Sequence, residues 1–124
     1  MNGEATDLYS PGFTLVRTQF ANQHPELVVK FLKVYDHAVK WQKSHPEEAV
    51  TLYARLKNLD KKIVTQVLNN TEPLNKPISK KIINAQQHTA DFQYKTKAIQ
   101  RKIDVNQVVD NSFIEKMLKE EMDE

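Results

Sequence analysis

No cysteine occurs anywhere in the 124 residues, which excludes disulfides, a thiolate nucleophile and any cysteine-ligated metal. Glycine is nearly as scarce. Both copies, Gly3 and Gly12, fall in the first twelve residues. A phosphate-cradling glycine loop therefore has no place to sit, and P-loop or dinucleotide-binding chemistry is excluded. No apolar run approaches the roughly 18 residues that a membrane span needs. Charge of one sign is also lacking: 18 Lys and Arg stand against 16 Asp and Glu. That balance implies no nucleic-acid partner on charge alone. The opening Met-Asn-Gly-Glu-Ala-Thr-Asp has neither the charged start nor the apolar core of a signal peptide.

What is present suits one domain with a modest core, since 40% of residues are hydrophobic and 27% charged. Residues 1–12 read as an irregular N-terminal segment. Phe13 to Thr18, "FTLVRT", alternates and is rich in β-branched residues, which predicts one short strand. Everything after it reads as helix, so the chain is expected to be mainly α, with about five to six helices.

The first long helix is expected from Pro25 to about Lys43, with Val28, Phe31, Leu32, Tyr35, Ala38 and Val39 on one buried face. The second runs from Pro46 to about Lys57. Asp60 is expected to cap a third, and "NNTEPLNKP", Asn69 to Pro77, is a loop. A long helix follows Pro77. Asp104 is placed to cap a short helix holding Val105, Val108 and Val109, and Ser112 with Glu115 forms a capping box for the last one.

His-Pro-Glu occurs twice, at His24 and His45, and could mark a metal or acid–base site. Proline suits the first turn of a helix, the residue before it is pushed out of the α region, and glutamate meets the positive end of the dipole. Both copies sit at such starts, at opposite ends of a rod of roughly 29 Å. A shared metal site needs ligands within a few ångströms, so the repeat is helix-starting grammar. His37 and His88 stand without partners at a useful spacing. Ser44 and Ser112 have capping roles, and no serine has a base at a suggestive distance. Trp41, Tyr35 and Tyr53 are expected in core packing rather than around a ligand. No catalytic constellation is visible, and no enzyme activity or cofactor is expected.

Charge is unevenly distributed. Lys76 to Lys102 carries seven basic residues and one acidic, whereas Glu115 to Glu124 carries five acidic and two basic. Such runs are ordinarily solvated helix faces.

The order of elements resembles a family. "FTLVRTQFANQHPELVVKFLKVYDHAVKWQKSHPEEAVTLYA" is similar to the C-terminal segment of bacterial ABC-transporter substrate-binding proteins. The resemblance is to the group serving aliphatic sulfonates, taurine and nitrate, with related pyrimidine-precursor binders. It rests on Phe13–Arg17, Phe20-Ala21, His24-Pro25-Glu26, Trp41 and His45-Pro46-Glu47-Glu48-Ala49, then "NKPISKKIINAQQHTADFQY" and "KIDVNQVVDNSFIEKML". One departure stands out. Family members often place a glycine between the long helix and the Ile-Asp-Val stretch, where this chain has "KTKAIQRK".

The resemblance implies that residues 13–124 are the helical C-terminal portion of a two-lobed α/β protein of the periplasmic-binding-protein type II fold. It implies a small anionic solute and the membrane permease of an ABC importer as partners, with no nucleic acid. It also implies an extracytoplasmic location, periplasmic or lipid-anchored, with the signal removed from this chain. Arg17, at the strand end near the cleft, is the one candidate for contact with an anionic ligand, the competing reading being a surface or salt-bridged arginine. The isolated segment would expose apolar surface and could form a homodimer. The competing expectation is a stand-alone helical module that binds an acidic protein or nucleic acid through Lys76–Lys102.

Overall fold

The computed structural model describes residues 12–71 and 75–123. Among these residues there are six α-helices, one short 3-10 helix and no strand. They are α1 (Thr18–Gln23), α2 (Pro25–Ser44), α3 (Pro46–Lys57), α4 (Lys61–Asn70), α5 (Lys80–Lys95) and α6 (Ser112–Met122), with the 3-10 helix at Val105–Gln107 between α5 and α6.

The helix starts follow local chemistry. Pro25 and Pro46 occupy first-turn positions, with Glu26 and with Glu47 and Glu48 facing the helix dipole. Asp60 accepts the Lys62 N–H at 2.7 Å to open α4, and Ser79 accepts the Ile82 N–H at 3.3 Å to open α5. Asp104 caps the 3-10 helix through the Asn106 N–H at 3.0 Å. Two helices end on left-handed residues that are not glycine. Asn58, at φ 51°, closes α3. Lys97, at φ 61°, follows α5, while Ala98 N–H returns to Gln93 O at 2.8 Å and Lys97 N–H to Tyr94 O at 3.0 Å. That pair of bonds is a Schellman closure, which glycine ordinarily supplies.

The core is one-sided. Ala21 from α1 and Val28, Val29 and Leu32 from α2 meet Ile114 and Met117 of α6, with Phe113 and Leu118 at the margin. Met117 is fully enclosed. The other elements are strung along the chain in pairs, α3 against α4 and α5 against the 3-10 helix.

Polar side chains tie these pairs together. Asn111 makes a two-point contact with the Ile78 backbone, accepting its N–H at 2.8 Å and donating to its C=O at 3.0 Å. Gln87 donates to Ile103 O at 2.8 Å and accepts the Val105 N–H at 2.9 Å, fastening the returning chain to α5. Asn75 donates to Leu32 O at 3.0 Å.

Three expectations need correction. Phe13–Thr18 is not a strand: residues 12–17 carry no regular secondary structure, and Thr18 already begins α1. β-propensity marks residues suited to a pleated surface, and among the described residues no second strand offers one. Ser112 is not the cap of α6. Asn111 holds that position without a side-chain cap because its amide is committed to Ile78, and Ser112 Oγ turns back to Asp110 at 2.6 Å. Of the apolar residues expected inside, Val28, Leu32 and Val39 are buried, but Phe31 and Ala38 are exposed, and Trp41 and Tyr53, expected in core packing, are 38% and 42% exposed.

Candidate functional site

Arg17 is the N-cap of α1, with φ −66° and ψ 130°, and its carbonyl accepts the Ala21 N–H at 3.0 Å. The side chain is exposed. Its backbone is thus fixed by the start of α1.

The two His-Pro-Glu copies form corners with nearly the same backbone. His24 has φ −135° and ψ 55°, and His45 has φ −129° and ψ 58°. Each histidine ends one helix and begins the next, donating its N–H to Phe20 O at 2.8 Å and to Trp41 O at 2.9 Å respectively. Each ring lies on the aromatic four residues earlier, His24 on Phe20 at 5.2 Å and His45 on Trp41 at 5.3 Å. The repeat is therefore a corner, aromatic-x-x-x-His-Pro-Glu. The aromatic four residues before each histidine is legible in the sequence as Phe20 and Trp41.

At the second corner Ser44 Oγ lies 2.8 Å from His45 Nδ1. The same hydroxyl lies 3.1 Å from both Lys40 O and Trp41 O. A hydroxyl spent on helix-end carbonyls is a poor nucleophile, and nucleophilic catalysis needs the imidazole oriented by a third group. Among the described residues no group of three or more His, Asp or Glu side chains gathers as metal ligands would.

A charged seam runs along α2 and α6. Lys33 Nζ lies 3.1 Å from Glu120 Oε2. Lys40 Nζ meets Asp36 Oδ2 at 2.6 Å and Glu121 Oε2 at 3.5 Å. Asp36 Oδ2 is buried, and its partner is the Lys40 ammonium, which compensates the carboxylate charge. The hydrogen bond to Asp36, aided by the charges of Asp36 and Glu121, raises the Lys40 pKa above the usual lysine value. Part of the acidic run at Glu115–Glu124 is thereby matched inside the chain. The basic residues of Lys76–Lys102 divide into two groups at the ends of α5, roughly 22 Å apart.

Two shallow depressions flank α3. One, of about 530 Å³, opens between Lys43, Glu47, Val50, Lys61 and Thr65. The other, of about 480 Å³, is bounded by Trp41, Glu48, Leu52 and Arg55. Neither encloses a buried charged group. The larger surface feature is apolar. Leu27, Phe31, Val34 and Trp41 are 45%, 55%, 60% and 38% exposed, and with Ala38 they form a stripe along the outer side of α2.

No family profile matches the chain, and no solved structure matches it. Two curated proteins do, each named "Putative aliphatic sulfonates-binding protein". The chain is 64% identical to the one from Bacillus subtilis (strain 168) over 120 residues, which are 97% of this chain and 36% of that protein. It is 26% identical to the one from Escherichia coli (strain K12) over 106 residues, 84% of this chain and 33% of that protein. The chain spans about a third of the length of the curated relatives it matches. It is a homologue of a segment of aliphatic sulfonates-binding proteins, and its extent fits a C-terminal segment. Both relatives are named for binding and not for catalysis. Among the described residues no helix is long and apolar enough to cross a membrane.

Proposed function

We propose that this chain is the helical C-terminal portion of the extracytoplasmic solute-binding component of an ABC importer for a small anionic solute, an aliphatic sulfonate in the first place. The observation that carries this is identity of 64% across 97% of the chain to a sulfonates-binding relative. The one-sided core adds support, because a helical layer with an open apolar face is what one part of a two-lobed α/β protein looks like. Taurine and nitrate are the other anions of the proposed class, and the importer's permease is the proposed partner.

Within this reading Arg17 is the anion contact contributed by this segment. A guanidinium pairs with a sulfonate by charge-assisted hydrogen bonds. Calorimetric titration of ethanesulfonate tests the proposal, using the Bacillus relative with its matched segment replaced by this chain. Binding is expected, weakened about tenfold or more by Arg17→Ala. A folded hybrid that binds none of ethanesulfonate, taurine or nitrate, while its parent binds, contradicts it.

A further inference from the structure

The carboxyl end of α5 carries a cluster of charge that neither the packing of the helices nor the proposed solute contact uses. Lys95, Lys97, Arg101 and Lys102 fall within eight residues, with no Asp or Glu among them. All four are exposed, and among the described residues none of them forms an ion pair. The flanking carboxylates are engaged elsewhere. Asp91 accepts a hydrogen bond from Gln87 Nε2 at 3.0 Å, and Asp104 caps the 3-10 helix. The seam between α2 and α6 is the contrast, because there Lys33 and Lys40 meet carboxylates of this same chain.

The loop that carries these cations is held at both ends. The Schellman closure reverses the chain after α5, and Gln87 fastens Ile103 and Val105 to the same helix. Lys97 stands in that turn at φ 61°, where glycine would escape the Cβ penalty. Backbone strain kept at an exposed position points to a role for the side chain. Exposed aromatic surface adjoins the cations. Phe92, one turn before Lys95 on the same face of α5, is 66% exposed.

From this juxtaposition we propose that the loop 95–102, with Phe92 beside it, is a contact site for an anionic lipid bilayer. The four cations meet lipid phosphates, and the Phe92 ring enters the headgroup layer. Clustered Lys and Arg draw a segment to anionic lipid, and an adjoining apolar side chain adds burial at the boundary. Nucleic acid fits less well, because a strand is followed by a basic track. No Lys or Arg lies between Lys81 and Lys95 to continue one. The inference does not depend on which solute the protein carries.

Co-sedimentation with vesicles, of phosphatidylcholine alone or mixed equally with phosphatidylglycerol, tests it on this chain and on the hybrid with the Bacillus relative. Both proteins should pellet with the mixed vesicles at low salt and hardly at all with phosphatidylcholine. Raising NaCl to about 0.5 M should release them. Joint Lys97→Gln, Arg101→Gln and Lys102→Gln should weaken binding about tenfold or more. The same loss of charge at Lys30, Lys116 and Lys119 should change it less than about twofold. Lys97→Gly suits the backbone of the turn and should still weaken binding about threefold, which separates the loss of a cation from a loss of fold. Absence of binding to the mixed vesicles overturns the proposal. Equal effects of the two triple variants do so too, because binding would then follow net charge alone. Binding by the isolated chain that the hybrid lacks also overturns it, since the loop would be covered in the longer protein. Tighter binding to a single-stranded oligonucleotide or to polyglutamate, at the same salt, sinks the lipid assignment.

Discussion

Val29 and Val34 stand five residues apart on α2, and one is 4% exposed while the other is 60%. Val29 looks toward α6, where Ile114 and Met117 complete a small core. Val34 belongs to an exposed stripe of similar residues along the outer side of the helix. The residue types on the two faces hardly differ. What differs is whether this chain carries the opposing surface, so hydrophobicity along one helix reports how many partners it has, not where they are.

The largest effect expected on the packed face is that of Met117→Ala. Its side chain is fully enclosed, and truncation should cost about 2–5 kcal/mol in urea denaturation. Phe31→Ala on the open face should cost less than about 0.5 kcal/mol in the isolated chain. Similar losses for both would erase the distinction between the faces.

Asn111→Ala comes next. It removes both hydrogen bonds to Ile78, leaving a part-buried N–H and C=O unpaired, and should cost about 1–3 kcal/mol. If the loop before α5 is held by that amide, backbone exchange at Ile78 should quicken in the same variant.

Lys97→Gly should act in the other direction. Relieving the left-handed strain outweighs the added freedom of the unfolded chain, for a net gain of about 0.5–1 kcal/mol in thermal or chemical unfolding. A loss on this substitution would mean that the Schellman closure is not kept in solution.

The smallest effect concerns Asp110, whose carboxylate accepts the Ser112 hydroxyl at 2.6 Å and the Ser112 N–H at 2.9 Å. These hydrogen bonds hold its pKa below the usual aspartate range. A depressed folded pKa gives stability that is present above the unfolded value and lost as pH falls through the folded one. Urea titrations below about pH 5 should therefore show a shallow acid limb that Asp110→Asn diminishes. Being exposed, the group gives a small effect, and a limb unchanged by the substitution would count against the contact.

Local chemistry was legible in the sequence. Pro25, Pro46 and Asp60 placed three helix starts because each acts within a turn of itself. The family resemblance at Phe20, His24, Trp41 and His45 was also readable, and the comparisons bear it out. Features set by distant neighbours were not readable. The unpaired Phe13–Arg17 carries strand chemistry without a partner. Ser112 resembles a cap, but Asn111 takes its place on account of Ile78, 33 residues away. The positive φ of Lys97 is signalled only indirectly, by its place in the stretch where the resembled family often has a glycine, since nothing in a lysine announces it. Phe31 and Ala38 share the buried period of α2 yet face outward, because the apolar arc of this helix is wider than one contact can cover.

Within this chain α2 has one packed face and one open face. Thermal unfolding of Val29→Lys and Val34→Lys, in the isolated chain and in the hybrid with the Bacillus relative, tests it most directly. Val29→Lys should unfold or strongly destabilise both proteins. Val34→Lys should be tolerated in the isolated chain and lower the Tm of the hybrid by on the order of 10 °C, as a lysine forced into an apolar interface would. Equal tolerance of Val34→Lys in both would contradict the account.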